Sequence, residues 1–406
     1  MAFDLVQLRS QFPILSRQVH GKPLVYLDNA ASTQKPQCML DALMHYYQHE
    51  HSNVHRGAHA LADEATIAFE ACRDALQTYL GAADRREVIF TKGTTEAMNL
   101  LAAGLGQSIK AGDTIVITAL EHHANLVPWQ QLCLAKGAQL RVVALNELGE
   151  LDQQDYADAL SQKPKIVSFA HVSNALGTVN PIADMARAAK AVGAWVVVDG
   201  AQGAAHGPLS LSQTDIDFYA LSAHKLYGPT GLGVLWGRFN ALDLLPPYQL
   251  GGEMIKSVSF EATEFNDLPY RLEAGTPNIA DVVAFGAVVN WLLSLDWQAL
   301  VAHEQELLTY ATQQVQALGG FQIHGQAKHK VSVLSLSLPG VHPSDIGFLL
   351  DQQGVAIRTG SHCAEPLMQL LGLPGTARAS FAIYNTLAEV DALVAALAKA
   401  KSMLLE

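Results

Sequence analysis

The sequence contains little cysteine and little positive charge, and both shortages restrict what the protein can do. It has four cysteines among 406 residues. None forms a C-x-x-C pair or a metal-binding spacing, so we expect free thiols, a reducing compartment and no metal site. Lys and Arg number 26 against 38 Asp and Glu, which gives a net charge of -12. This acidic balance argues against general binding to nucleic acid or to an anionic membrane surface.

The chain also lacks a recognisable targeting or membrane-spanning segment. The residues after Met1 do not form the basic start and apolar core of a secretory signal. The longest apolar stretch, 282–295, is interrupted by Asn290 and Ser294 and is too short to cross a bilayer. Half of the residues are apolar and 16% are charged, as in an ordinary globular protein. We therefore expect a cytoplasmic protein with two domains.

Strand-like and helix-like patterns alternate from about residue 85 to residue 240. The strand-like apolar runs lie at residues 88–90, 114–118, 140–143, 165–169, 195–199, 216–221 and 233–236. Helical spacing of apolar residues separates several of them. This alternation predicts an α/β fold with a mostly parallel, helix-covered sheet, and such sheets bind ligands at the carboxyl ends of their strands.

The pattern changes beyond residue 240. An irregular stretch rich in Gly and Pro, 240–278, is followed by a predicted long helix over 277–318 and by strand-like runs at 331–336 and 355–358. These later elements predict a smaller α+β domain. We divide the chain into an N-terminal segment that packs near the small domain, a large domain and a small C-terminal domain, at residues 1–20, 21–289 and 290–406.

Asp199 and Lys225 are the most informative pair of residues. Asp199 ends the apolar run 195–199, and Lys225 lies in a turn rich in Ser, His, Gly and Pro, 222–229. A pyridoxal-phosphate enzyme needs a lysine that forms a Schiff base with the cofactor aldehyde. It also needs an acid that keeps the pyridine nitrogen protonated. The pair therefore predicts pyridoxal phosphate as the cofactor.

Three further segments can bind or act on such a cofactor. The loop 91–97 places Thr94 and Thr95 at a helix start, where backbone N–H groups attract an anion. Thr276 is predicted as the N-cap of a helix that has proline in its first turn. In 121–125, two adjacent histidines do not share a face for metal binding, but one imidazole can stack on a ring and transfer protons. Taken singly, each segment is more often a helix cap or a polar loop.

Cys363 differs from the other cysteines, because it lies in a polar loop, 358–366. The other three lie in helix-like apolar patterns and are expected to be core residues: Cys38, Cys72 and Cys133. A thiolate is a nucleophile, and cations such as Arg358 and His362 favour it. Arg378 stands alone among apolar residues, where a guanidinium binds a substrate carboxylate or forms a structural ion pair.

Together these segments resemble one family, the group II cysteine desulfurases of the Suf/Csd type. They belong to the class V aminotransferase family of fold-type I pyridoxal-phosphate enzymes. The resemblance covers essentially the whole chain and is carried by residues 26–31, 53–57, 121–125, 199–202, 222–229, 273–278 and 358–366.

The resemblance implies a fold-type I transferase with pyridoxal 5'-phosphate as its cofactor. The implied reaction converts L-cysteine to L-alanine and leaves the sulfur as a persulfide on an enzyme cysteine. Selenocysteine is an implied second substrate. The resemblance further implies a homodimer, a SufE- or CsdE-like sulfur-acceptor protein, and a role in making iron–sulfur clusters or other sulfur-containing cofactors.

The resemblance also implies a role for each candidate site residue. Catalysis falls to Lys225, Cys363, His122 and Asp199. Cofactor binding falls to Thr94, Thr95, His122, Asp199, Gln202, Ser222, His224 and Lys225, and to Thr276 in the site of the partner subunit. Substrate binding falls to Asn174, Arg358 and Arg378, with His55 and Arg56 as weaker candidates.

Two departures and two alternatives remain open in the sequence. Ser361 replaces a histidine that many members have, and 248–250 is less glycine-rich than in relatives, which leaves the nearby hairpin undefined. Another class V enzyme, a transaminase or a kynureninase-like hydrolase, would keep Lys225 and Asp199 without the cysteine loop. A sulfur carrier without enzymatic activity would need Cys363 alone.

Overall fold

The structure, a computed structural model, describes residues 4–405. Residues 1–3, which bear on the predicted absence of a signal and begin the predicted N-terminal segment, lie outside this range, as does residue 406. The α-helices in the described range, α1 to α13, are Leu5–Ser10, Gln37–His45, Ala60–Leu80, Thr94–Leu105, Val127–Lys136, Gln153–Ser161, Ile182–Ala191, Phe239–Asp243, Ile279–Leu293, Trp297–Leu318, Pro343–Asp351, Glu365–Leu370 and Leu387–Leu405.

The strands of the same range form one large sheet, one smaller sheet and three short pairs. In chain order, β1 to β17 are Gln18–Val19, Lys22–Pro23, Val25–Tyr26, Val88–Thr91, Thr114–Thr118, Gln139–Val143, Ile166–Ala170, Trp195–Asp199, Phe218–Ser222, Gly233–Gly237, Ile255–Val258, Thr263–Phe265, Gln322–His324, Val333–Ser337, Val355–Ala356, Arg358–Gly360 and Thr376–Ser380.

The large sheet confirms the predicted mostly parallel α/β architecture. Its seven strands run in the order β4-β10-β9-β8-β7-β5-β6. Strands β9, β8, β7, β5 and β6 are parallel, and only β10 runs antiparallel to its two neighbours. The carboxyl ends of the parallel strands therefore meet along one edge, where this class of sheet binds ligands.

Side chains that alternate along the strands give the sheet two buried faces. In β8, Val196 and Val198 pack into one hydrophobic cluster, whereas Val197 packs into the cluster on the opposite face. Helices α3, α6, α7 and α9 cover the first face, and α4 and α5 cover the second. Two covered faces explain why these strands read as continuous apolar runs in the sequence.

The C-terminal part is built on a four-stranded antiparallel sheet in the order β13-β14-β17-β16. Helices α10, α11 and α13 contribute to its own hydrophobic cluster. Val25 and Leu27 belong to this cluster, and β3 pairs in parallel with β15. Arg9 forms an ion pair with Glu389 at 2.7 Å, which ties the N-terminal helix to α13. The division into three parts stays a proposal.

Three local predictions were wrong. The single helix predicted over 277–318 is two helices, α9 and α10, bent by 89°. A turn with a Ser294 N–H bond to Trp291 O separates them, and Asp296 caps the second by accepting the N–H of Ala299. Thr276 is not the N-cap of α9, because Asn278 occupies that position. Cys38 is half-buried, unlike Cys72 and Cys133.

Strands β11 and β12 form a hairpin that projects into solvent. Its residues are largely exposed, and Phe260 at the tip is fully exposed. The pairing of Ile255 with Phe265 defines the hairpin base that the sequence left undefined.

In the described part of the chain, no single helix combines the length and apolarity needed to cross a membrane. The α9 and α10 pair meets that test only jointly, in spite of its bend.

A buried charge network ties α3 to the segment after the hairpin. Arg73 is fully buried and donates to both oxygens of Glu273, at 2.8 and 3.0 Å. It also pairs with Glu70 at 3.0 Å. Glu273 in turn accepts the N–H of Phe90 in β4 at 2.7 Å. Removing one partner of such a network leaves the other charges buried and uncompensated.

We expect Arg73→Met to destabilise the protein by about 3–5 kcal/mol, because Glu273 and Glu70 would lose their buried cation. Urea unfolding of the variant measures the loss. Arg187→Met is the matched control, since the Arg187–Asp184 pair is exposed, and such pairs contribute about 0–1 kcal/mol. Equal unfolding midpoints for the two variants would contradict the expectation.

Candidate active site

Five strands of the large sheet deliver side chains to one cavity of about 180 Å³ at their carboxyl ends. The loops after β4, β5 and β7, the last residues of β8 and β9, and the C-terminal sheet all contribute to its wall. Of the predicted site residues, the cavity brings together Thr94, Thr95, His122, Asn174, Asp199, Gln202, Ser222, His224, Lys225, Arg358, Cys363 and Arg378.

Asp199 ends β8 with its carboxylate in the cavity wall. Its Oδ1 accepts the N–H of Ala201 at 2.9 Å. Burial raises the pKa of the Asp199 carboxyl, while that hydrogen bond and nearby Lys225 oppose the rise. The next residue must be glycine, because a Cβ on Gly200 would lie 1.9 Å from the Tyr219 ring.

Lys225 ends the short 3-10 turn Ala223–Lys225, which follows β9. Burial in the cavity lowers the pKa of its amine to about 8, and the negative charge of Asp199 limits the decrease. A lysine with such a pKa is uncharged in a much larger fraction at neutral pH than a surface lysine. It is therefore suited to act as a nucleophile or a base.

The start of α4 forms one end of the cavity. Gly93 precedes the helix with φ 149°, and its Cα faces Ser222, so that an added Cβ would lie 3.4 Å from Ser222 Oγ. Thr94 N donates to Ser222 Oγ at 2.9 Å, and the Thr94 and Ser222 hydroxyls are also 2.9 Å apart. Thr95 and His224 line the same end. Backbone N–H groups and hydroxyls at a helix start suit a phosphate.

His122 lines the cavity in the loop after β5. Its Nδ1 accepts the N–H of Ala124 at 3.0 Å, which places the proton of the neutral ring on Nε2. Burial, with the positive charge of Lys225, lowers the pKa of His122 to about 3. The imidazole is therefore neutral at physiological pH.

At the other end of the cavity, Arg378 is 1% exposed. Its Nη1 donates to Asn174 O at 2.7 Å, and its Nη2 pairs with Asp28 Oδ1 at 3.1 Å. Its buried Nε has no hydrogen-bond partner among the described residues. The structural ion pair that the sequence left open is therefore present, and Arg358 lies beside it in register on β16.

The Cys363 loop lies between β16 and α12, and it docks on the large sheet through its backbone. His123 N donates to Cys363 O at 2.8 Å, and Asn174 Nδ2 donates to His362 O at 2.6 Å. His362 and Cys363 both have φ 56°, which is costly for residues with a side chain. Two consecutive left-handed residues turn the half-buried Cys363 toward the cavity.

Gln202 connects the cavity floor to the N-terminal loop, because its Nε2 donates to Ala30 O at 2.7 Å. Three other predicted residues lie elsewhere. Thr276 lines a separate cavity of about 350 Å³. His55 pairs with Glu70 at 3.0 Å, and Arg56 Nη2 donates to Ile255 O at the hairpin base at 3.1 Å.

Sequence reasoning missed two carboxyl groups, the half-buried Asp28 and the buried Glu121. Asp28 pairs with Arg378, although its motif was already part of the resemblance. Glu121 accepts bonds from Thr118 and Asn125, and burial raises its pKa to about 8. An acid next to the two histidines was the available signal for Glu121.

The residues of the cavity fit pyridoxal phosphate. Thr94, Thr95, Ser222 and His224 offer donors for its phosphate at one end. Asp199 offers a buried carboxylate with room for an N–H donor, and Lys225 offers an amine of lowered pKa. Within the described residues, no group of three or more His, Cys, Asp or Glu side chains could hold a metal ion.

Comparisons with known proteins identify the family of the chain. The sequence profile of the family described as aminotransferase class-V matches residues 25–393. A cysteine desulfurase of Synechococcus elongatus is 48% identical over 98% of this chain, which spans 64% of that protein. A probable cysteine desulfurase of Vibrio cholerae is 44% identical over the full length of both chains.

Two solved structures have the same fold. The cysteine desulfurase CsdA of Escherichia coli, in an S-sulfonic acid form, has a TM-score of 0.91 at 38% identity and full coverage of both chains. The apo cysteine desulfurase of Thermococcus onnurineus has a TM-score of 0.93 at 35% identity and covers 98% of each chain.

We expect the rate at which the apoprotein links pyridoxal phosphate to Lys225 to rise with pH through a midpoint at about 8. The uncharged amine is the nucleophile, and it becomes the main form above its pKa. Stopped-flow absorbance across the pH range measures the midpoint.

The control is Asp199→Asn. Loss of the carboxylate removes the charge that keeps the pKa of Lys225 from falling further, so the midpoint should move to lower pH. A wild-type midpoint near 10.4, the usual lysine value, would contradict the expectation.

Proposed function

The chain belongs to the class-V aminotransferase family and, within it, to the pyridoxal-phosphate-dependent cysteine desulfurases, and from this premise we propose which residues carry each step. The observation that supports the proposal is that Cys363 and Lys225, which come from different parts of the chain, line one cavity. A transaminase or a kynureninase-like hydrolase has no need of that cysteine, and a plain sulfur carrier has no need of Lys225.

Pyridoxal phosphate supplies an aldehyde that bonds to amino groups and a ring that accepts electrons from the substrate α-carbon. Thr94, Thr95, Ser222 and His224 would hold its phosphate. Gln202 would contact its ring hydroxyl, and Asp199 would keep a proton on its ring nitrogen. The buried position of Asp199 strengthens that contact, because a low dielectric strengthens a charge-assisted hydrogen bond.

L-cysteine binds through its carboxylate to Arg378 and Asn174, with Arg358 shaping the pocket. The unpartnered Nε of Arg378 and the cationic surroundings favour an anion at this end of the cavity. Lys225 would act as the base that removes the proton from the substrate α-carbon, and the neutral His122 would lie against the cofactor ring and move a second proton.

Cys363 then attacks the substrate sulfur as a thiolate. A sulfur–sulfur bond forms, and the bond between that sulfur and the substrate β-carbon breaks. The electron pair of the broken bond stays with the carbon skeleton, which takes up protons and leaves as L-alanine. The persulfide remains on Cys363 for delivery to an acceptor. Selenocysteine can follow the same path, since only the transferred atom changes.

We further propose that the enzyme is a homodimer. Thr276 lies outside the cavity of its own chain, and the exposed β11–β12 hairpin leaves Phe260 in solvent. A partner would bury this apolar surface. In the dimer, Thr276 would then reach the phosphate site of the partner subunit.

The sulfur acceptor belongs to the same proposal. We infer a SufE- or CsdE-like acceptor protein, cytoplasmic location, and supply of sulfur for iron–sulfur clusters or other sulfur-containing cofactors. The free thiols of all four cysteines support the reducing compartment.

Cys363→Ala should bind pyridoxal phosphate as the wild type does and lose steady-state alanine production from L-cysteine, because the nucleophile is gone. Mass spectrometry of the wild type should find one added sulfur on Cys363 after L-cysteine is supplied. Cys38→Ala, which alters the other half-buried thiol, should keep full activity. An unchanged rate in Cys363→Ala would show that the reaction assignment is wrong.

Thr276→Val should weaken retention of the cofactor on dialysis while leaving the protein dimeric by analytical ultracentrifugation, because it removes one hydroxyl donor to the phosphate. Thr263→Val, in the exposed hairpin, is the control, because it makes the same Thr-to-Val change at another position. Equal retention by the two variants would remove Thr276 from the phosphate site.

A further inference from the structure

The loop between β3 and α2 closes over the turn that carries Lys225. Donors from this loop converge on one backbone oxygen, His224 O, which belongs to the peptide bond just before Lys225. Thr33 N and Thr33 Oγ1 donate to it at 3.1 Å each, and Ser32 Oγ donates at 3.2 Å. Lys35 Nζ donates at 2.9 Å and is the only donor of the set whose side chain can carry a positive charge.

More donors reach the carbonyl oxygen of His224 than its hydrogen-bonding capacity requires. A carbonyl oxygen has two lone pairs, so two donors are sufficient. The Lys35 contact is the shortest of the four, and the protonated form of Lys35 makes a charge-assisted hydrogen bond, which is about twice as strong as a neutral one. The carbonyl oxygen of His224 therefore anchors the turn, and the hydrogen bond from Lys35 is the main contact that holds this oxygen in place.

The turn that carries Lys225 also contains an unfavourable backbone conformation, which neighbouring contacts must hold in place. Tyr227 has φ 60°, which is unfavourable for a bulky residue. Tyr227 N donates to Thr33 Oγ1 at 2.9 Å, so the loop that holds His224 O also holds the far end of the turn. The Leu226 N–H bonds to Ala223 O within the turn itself.

The folding stability of the protein does not by itself explain a lysine at position 35. In the described part of the chain, no carboxylate forms an ion pair with it, and burial lowers the pKa of its amine to about 7. A buried cation without a counter-charge costs free energy. Such a residue needs a role that compensates for this cost. The contact that Lys35 makes is with the His224 carbonyl, next to Lys225.

We propose that Lys35 is a positioning residue that holds the His224–Lys225 peptide, so that the amine of Lys225 stays directed into the cavity. The inference rests on the proposed role of Lys225. Lys35 itself touches neither substrate nor cofactor, since it is absent from the cavity wall.

The test compares Lys35→Met with Lys330→Met in the cofactor-loaded enzyme. Lys330 is a matched control: it is a buried lysine of lowered pKa that donates to a backbone carbonyl, that of Gly325, away from the cavity. Hydrogen exchange with mass spectrometry reports on the amides of residues 224–228, and steady-state kinetics reports kcat and KM for L-cysteine.

In Lys35→Met we expect these amides to exchange about 10-fold faster, since opening of the turn becomes easier. We expect kcat to fall by about 10- to 100-fold, because small displacements of a reacting group cost this much. KM should stay within about 2-fold, since Arg378 and Asn174 are untouched. Lys35→Arg should restore both readouts, and Lys330→Met should change neither.

Wild-type exchange in Lys35→Met would overturn the proposal, and so would equal effects in the Lys330 variant or a loss confined to KM. If Lys35→Met does not fold, Ser32→Ala removes a neutral donor from the same oxygen and should give a smaller acceleration in the same amides; no acceleration would overturn the proposal. Full turnover by Lys225→Ala would instead refute the proposed function. The two failures are distinguishable, because the proposal for Lys35 is judged by hydrogen exchange in Lys35→Met and the proposed function by turnover in Lys225→Ala.

Discussion

The buried guanidinium of Arg378 is the interaction on which the site depends. It projects from β17, in the middle of the C-terminal sheet, and bonds to Asn174 O at the edge of the large sheet and to Asp28. Strand β16, which leads into the Cys363 loop, lies beside it in register. If this buried cation lost its partners, an uncompensated charge would remain between the two sheets. The contact therefore fixes how the cysteine loop approaches the lysine turn.

The cavity divides the chemistry between the two sheets. The large sheet supplies Lys225, Asp199 and a helix start for an anion, a set that serves many reactions at an amino acid's α-carbon. The C-terminal sheet supplies Cys363 on two consecutive left-handed residues. Hydrogen bonds from the His123 backbone N–H and the Asn174 side-chain amide to backbone oxygens hold that loop, so the strain of the loop is balanced by contacts with the large sheet. Sulfur transfer becomes possible only where the two sets of residues meet.

Most of the fold was predictable, because the strands of the large sheet, apart from the largely exposed edge strand β6, are buried on both faces and appear as short apolar runs. The site residues could be placed at strand ends by the same reasoning. The break between α9 and α10 escaped prediction, since both helices have apolar residues at helical spacing and the turn between them contains neither Gly nor Pro. Asp28 and Lys35 escaped because their partners are distant in the chain or are backbone atoms, which a sequence pattern does not reveal. Glu121 escaped because its raised pKa comes from burial in the folded protein.

The sequence by itself predicted the class of sheet and the cofactor, and it marked Cys363 as the candidate nucleophile. Residue type and spacing are enough for these, because an acid at a strand end, a lysine in a tight turn and a cysteine in a polar loop each have a local chemical meaning. Only the tertiary structure decided the pKa values of the site residues and the hydrogen bonds that hold the segments of the site together. Burial shifts the pKa values of Lys225 and His122, and bonds from Lys35 and Arg378 join segments nearly 200 or more residues apart. Such effects depend on solvent exclusion and distance in space, which exist only once the chain is folded.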